Sequence, residues 1–145
     1  MKVLYTAEVT AVGARAGHAT SSDRLLDVAL ALPPEMGGKG GATNPEQLFA
    51  AGYAACFGGA VEYIAGQKKI RPGTVTVKAQ VGIGPFDPGQ GEGFCLQVHL
   101  DVTLPDLNQA AAEELVAAAH RVCPYSNATR NSIDVKLTAH GGKQN

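Results

Sequence analysis

The segment from Leu48 to Ala65 constrains the fold of this chain more than any other. It reads LFAAGYAACFGGAVEYIA, almost without charge around its whole circumference. Asn44-Pro45-Glu46-Gln47 stands before it as a helix start. Asparagine caps free N–H groups, proline suits the first helical position, and an acid complements the positive end of the helix dipole. The helix is predicted to run to about Lys68. A helix apolar all round is buried all round. Gly52, Gly58 and Gly59 each weaken it by about 1 kcal/mol relative to alanine, which points to close approach of another element. One small sheet covers only one side of such a helix. A second subunit is the simplest source of the remaining cover, so a homodimer is expected.

Around this helix the pattern is that of strands. Val3, Tyr5, Ala7, Val9 and Ala11 alternate with Lys2, Thr6, Glu8 and Thr10, predicting a half-buried strand over 3–11. Gly13-Ala14-Arg15-Ala16-Gly17 is a flexible link with one arginine at its centre. A second strand is expected near 24–32. It ends at Pro33-Pro34, since proline cannot donate to a ladder, and a loop follows over 37–41. Val75 to Ile83 and Phe94 to Leu104 alternate as two long strands joined by the turn-rich 84–91. A second helix over about 108–123 is stopped by Pro124. Ile133, Val135, Leu137 and Ala139 make a final strand, and 141–145 reads as a frayed tail. The order β-β-α-β-β-α-β, linked by hairpins, predicts an α+β fold of antiparallel sheet in a single domain over 1–145.

Composition removes several functions. Twelve Lys and Arg stand against 13 Asp and Glu among 145 residues, a balance that argues against binding phosphates electrostatically. No apolar run approaches the roughly 20 residues of a membrane span. The start, Met1 to Glu8, meets an acid too early for a signal peptide, so a cytoplasmic protein is expected. The three cysteines, Cys56, Cys95 and Cys123, are odd in number and form no Cys-x-x-Cys pair. A reducing compartment suits that usage better than a secreted disulfide scaffold.

Cys56 lies inside the apolar helix, where a cysteine taken alone is most often a small hydrophobe. It sits roughly 15 Å beyond Glu46 along the axis, too far for the helix dipole to lower its pKa. An activated thiolate there needs a cation from elsewhere. Cys123 ends the second helix, a place that suits a mobile resolving cysteine as well as one that only fills a helix terminus. Cys95 shares a polar strand face with Gln97, His99 and Asp101 and reads as a spectator. Cys95 and His99 stand about 13 Å apart at strand rise, too far for one metal ion. His120 and Cys123 have helical spacing but no second pair to complete a site. Gly38-Lys39 is followed by Gly40, which is no phosphate loop. Arg15 alone reads as a solvated charge, and Glu46 as an acid of the first helical turn.

The run Thr43-Asn44-Pro45-Glu46-Gln47-Leu48-Phe49-Ala50-Ala51-Gly52-Tyr53-Ala54-Ala55-Cys56-Phe57 closely resembles the first-cysteine motif of the Ohr proteins. These form the organic hydroperoxide resistance branch of the OsmC/Ohr family. Val122-Cys123-Pro124-Tyr125-Ser126-Asn127-Ala128-Thr129-Arg130 resembles their second-cysteine motif, and Leu4-Tyr5-Thr6-Ala7 and Ser21-Ser22-Asp23 match as well. The resemblance implies that Cys56 is the peroxidatic cysteine and Cys123 the resolving one. It puts Arg15 at the position of the activating arginine and Glu46 at that of the acid orienting it, in its own or the partner's site. It implies an intertwined homodimer with antiparallel sheets wrapped around buried central helices. The implied activity, a defence against oxidative stress, reduces alkyl, aryl or fatty-acyl hydroperoxides through a Cys56 sulfenic acid and a Cys56–Cys123 disulfide. A dihydrolipoyl dithiol on a lipoylated protein is the implied external reductant, with no bound cofactor or metal. The glycine-rich turn over 84–93 and Cys95 depart from the family pattern. The wider OsmC branch is one rival reading. A hydrophobic-ligand carrier or redox sensor on the same fold is another, against which both cysteines with Arg15 and Glu46 speak.

Overall fold

The computed structural model describes residues 1–144, and the chain divides into two compact units, Met1–Leu48 and Phe49–Asn145. The first carries an antiparallel sheet in the order β1-β2-β3, formed by Val9–Val12, His18–Ser21 and Asp27–Ala29. Ala19 lies opposite Ala11 on one side and Val28 on the other. The strand expected over 3–11 thus begins only at Val9. A strand exists by its ladder, and the four-residue β2 has no backbone left to pair with residues 3–7. β2 carries no sequence signal, because in His18-Ala19-Thr20-Ser21 only Ala19 is buried and no apolar alternation marks it. A short helical turn, Ala14–Ala16, carries Arg15 between β1 and β2. Gly17 closes that turn, where a Cβ would stand 1.7 Å from the Val12 carbonyl oxygen.

The helix start behaves as its sequence dictates. Asn44 Oδ1 accepts from the Gln47 N–H at 2.9 Å, and α1 runs Pro45–Lys68. By length and composition only, with a mean hydropathy of 1.3 over an 18-residue window, it matches a membrane span, a test that core helices pass as well. Leu48, Phe49, Cys56, Phe57, Val61 and Ile64 supply most of that hydropathy, with alanines adding to it.

In the second unit β4 (Thr76–Pro85) and β5 (Phe94–Leu104) are antiparallel, with Val81 opposite Val98. β6 (Asp134–Gly141) runs parallel to β5, with Leu137 beside Leu100. The expectation of antiparallel sheet therefore fails at this pair. The chain returns to the same end of the sheet through helices α2 (Gln109–Val122) and α3 (Pro124–Thr129), and a crossover of that length permits a parallel strand. Pro124 ends α2 but opens α3 at its first position, where its missing N–H costs nothing. The tail is tied down at Lys143, whose N–H donates to the Leu107 carbonyl at 3.0 Å; Asn145 lies outside the described residues.

Tyr53, Phe57, Val61 and Ile64 of α1 share one buried cluster with the inward stripe of β5 and with Leu115, Val116 and Ala119 of α2. Burial on every side of α1 is not met within the chain. Ala51, Ala55, Gly59, Glu62 and Gly66 form an exposed stripe opposite the buried face. The class is mixed α+β, with two small sheets and helices.

Candidate active site

Two of the three cysteines meet in the second unit. Cys56 sits midway along α1, and Cys123 occupies the junction where α2 ends and α3 begins. Their sulfurs are 3.8 Å apart, both as free thiols. Cys123 is wholly buried and Cys56 partly so. Burial pushes the Cys56 thiol up from its ordinary value, and the nearby Cys123 sulfur adds to the rise. The backbone N–H of Tyr125 opposes it by favouring the anion.

An aromatic group gathers about Tyr53, three residues before Cys56 on α1. Tyr53 stacks edge-on against Phe49 at 6.0 Å and against Phe57 at 6.5 Å. Tyr125 tilts over Tyr53 at 5.6 Å and Phe49 at 6.1 Å. Gly52 makes room for it, since a Cβ there would stand 2.9 Å from the Tyr125 hydroxyl. Beneath the rings the Tyr53 hydroxyl lies 2.9 Å from Ser126 Oγ and 3.1 Å from Thr129 Oγ1. His120 packs on Phe57 at 6.4 Å, and its Nδ1 is buried without a hydrogen-bond partner. Burial, reinforced by Arg130, holds that imidazole below its usual pKa and favours the neutral ring.

The first unit brings together the other two candidate residues. Arg15 donates from Nη1 to Glu46 Oε2 at 3.0 Å and from Nη2 to Oε1 at 2.7 Å. This is a forked, charge-assisted contact with the geometric fit that lysine lacks. Arg15 holds the Glu46 carboxyl below the usual carboxylate range, against the opposing pull of burial. Glu46 in turn raises the guanidinium pKa, first through the hydrogen bond.

Cys95 stands apart on β5, its sulfur 4.0 Å from the Pro85 carbonyl oxygen. His99 contacts Thr138 at 2.8 Å and His140 pairs with Asp101 at 2.7 Å on the polar side of the sheet. Among the described residues no three His, Cys, Asp or Glu gather as metal ligands would. Sequence pattern alone does not mark Tyr53, Ser126 and Thr129 as a polar unit. The available signal was a pair of hydroxyl residues three apart just after Cys123, which is one helical face.

A family model described as OsmC-like protein matches residues 38–138. A relative from Xanthomonas axonopodis pv. citri, named organic hydroperoxide resistance protein, is 55% identical over 139 residues, covering 94% of this chain and 95% of its own. The chain belongs to the Ohr branch of the OsmC/Ohr family. The Bacillus subtilis organic hydroperoxide resistance protein OhrB is 50% identical over 134 residues, covering 92% of this chain and 96% of its own. Among solved structures, an organic hydroperoxide resistance protein from Legionella pneumophila superposes with a TM-score of 0.90 at 50% identity. That match covers 96% of this chain and 99% of the other. Both cysteine segments of this OsmC/Ohr chain lie inside the family match. Arg15 precedes it.

Proposed function

We propose that this chain is a cysteine-based peroxidase that reduces organic hydroperoxides to alcohols. The observation that carries the reading is the 3.8 Å approach of Cys56 and Cys123. The names of relatives at 50–55% identity support the substrate class. The Cys56 thiolate attacks the distal peroxide oxygen; the O–O bond breaks, the alkoxide leaves and takes a proton, and Cys56 becomes a sulfenic acid. The Cys123 thiol then displaces hydroxide from that sulfur, releasing water and closing a disulfide. An S–S bond is about 2.05 Å long, so the sulfurs need to approach by under about 2 Å. An external dithiol restores both thiols, and a dihydrolipoyl group on a protein is the proposed donor.

Burial raises the Cys56 thiol, so a cation is needed to hold the reactive thiolate. Arg15, kept in orientation by Glu46, is the proposed source. Phe49, Tyr53, Phe57 and Tyr125 favour alkyl, aryl and fatty-acyl peroxides over hydrogen peroxide. The active molecule is proposed to be a homodimer. A thiol count tests the cycle: reduced protein receives one equivalent of cumene hydroperoxide beside a Cys56→Ser control. Loss of two thiols per chain, absent from the control, is expected. No loss, or equal loss in the control, would make the fold a hydrophobic-ligand carrier and end the peroxidase reading.

A further inference from the structure

Tyr53 brings a hydroxyl to the otherwise apolar buried face of α1, and two hydroxyls of α3 meet it. Tyr53 and Ser126 are wholly buried and Thr129 nearly so. Thr129 Oγ1 also donates to the Tyr125 carbonyl oxygen at 2.8 Å. Each hydroxyl has one proton, and that fixes the direction of the whole set. A carbonyl only accepts, so the Thr129 proton points at Tyr125. The 3.1 Å contact of Thr129 with Tyr53 then requires Tyr53 to donate. The 2.9 Å contact with Ser126 requires Ser126 to donate to Tyr53. A single relay, Ser126 to Tyr53 to Thr129 to the Tyr125 carbonyl, satisfies the three shortest contacts and leaves only the 3.5 Å approach of Thr129 Oγ1 to the Ser126 carbonyl oxygen unused.

The relay joins two elements at a chosen place. α3 has six residues, too few to hold a helical shape alone. Ser126 and Thr129 lie three apart on one face of it, and both are fixed to α1 one turn before Cys56. The same short helix carries Cys123 as its cap and the Tyr125 N–H that bears on Cys56. We propose that Tyr53, Ser126 and Thr129 are positioning residues, whose hydroxyl relay fixes α3 on α1 and so holds the Cys123 thiol and the Tyr125 N–H against Cys56. The use of both thiols rests on the peroxidase reading; the positioning does not.

The test is alkylation of Cys56 by iodoacetamide against pH, read by peptide mass, which needs no peroxide. Tyr53→Phe keeps the ring and removes the link. Its Cys56 alkylation rate at neutral pH is expected to depart about threefold or more from wild type, since α3 carries both the Tyr125 N–H that favours the thiolate and the Cys123 sulfur that opposes it. In the same variant, dimedone-trappable sulfenic acid after cumene hydroperoxide is expected to persist about tenfold longer. Thr129→Val should reproduce both effects and Thr129→Ser should reverse them, a rescue that packing alone would not give. The Thr129 pair decides the matter if far-UV circular dichroism shows Tyr53→Phe unfolded. Wild-type alkylation in Tyr53→Phe, or equal behaviour of the two Thr129 variants, would overturn the positioning role. If wild-type protein loses no thiol to peroxide while the alkylation profiles still differ, the peroxidase reading falls and the positioning stands.

Discussion

The Glu46 carboxyl of a forked ion pair and the partly buried Cys56 thiol shift in opposite directions in this protein, each with a stated cause. Glu46 is held below the usual carboxylate range chiefly by the Arg15 hydrogen bond. Its depressed value means that stability from this pair is present above the unfolded value near 4.3 and is lost as pH falls through the folded one. With side chains 39% and 12% exposed for Arg15 and Glu46, solvent screening leaves on the order of 1 kcal/mol or less. The expected loss in catalysis is larger. Arg15→Ala should slow the reaction of Cys56 with cumene hydroperoxide about 100-fold while changing the urea midpoint little, and Glu46→Gln should fall between. Stopped-flow measurement of thiol oxidation reads it, and an Arg15→Ala protein at full rate would remove the arginine from the mechanism. Arg15, Glu46 and the two cysteines were legible only through motif resemblance. Periodicity places Cys56 on a helix but says nothing of a partner 67 residues away. The Tyr53 hydroxyl was hidden by its ring, which fits the apolar stripe as any phenylalanine would.

At the scale of elements, local signals survived and long-range ones did not. The Asn44 cap, the 24-residue α1 and the alternation of β5 are written within single segments, and each folds as its pattern dictates. β6 runs parallel to β5 because of how α2 and α3 return the chain, which no strand pattern encodes. Pro124 carries both meanings, end of one helix and first residue of the next, and only the tertiary contacts of α3 select the second. The same short helix sets a testable balance at Gly52. Alanine there should stabilise a helix interior by about 0.5–1 kcal/mol, but its Cβ would meet the Tyr125 hydroxyl at 2.9 Å. That atom is the far end of a ring 38% exposed, so the ring can swing outward. Gly52→Ala is therefore expected to unfold in urea within about 1 kcal/mol of wild type. A loss beyond about 2 kcal/mol would mean that Tyr125 is locked over α1.

At the scale of the whole molecule, apolar surface remains that the chain does not cover. Leu4 is 91% and Tyr5 79% exposed in a segment whose alternation suits a strand, and it has no strand partner among the described residues. In the other unit, Ala54, Ala55, Gly58 and Val77 line an open groove beside the bare stripe of α1. These are the features a second copy would cover, and the proposed homodimer makes a prediction that an isolated chain reverses. A Cβ added at Gly59 meets nothing within 4 Å. In a monomer, Gly59→Lys should therefore stabilise α1 by about 0.5–1 kcal/mol, since glycine is costly in a helix interior. In a dimer whose partner packs on that stripe, the same side chain is driven into the interface and the midpoint should fall by several degrees. Wild-type melting should then also rise with protein concentration, as mass action requires. Sedimentation equilibrium should give twice the chain mass for wild type and a shift toward the single chain for Gly59→Lys. A concentration-independent midpoint with a stabilised Gly59→Lys would instead mean that the apolar surface of α1 stays open to solvent.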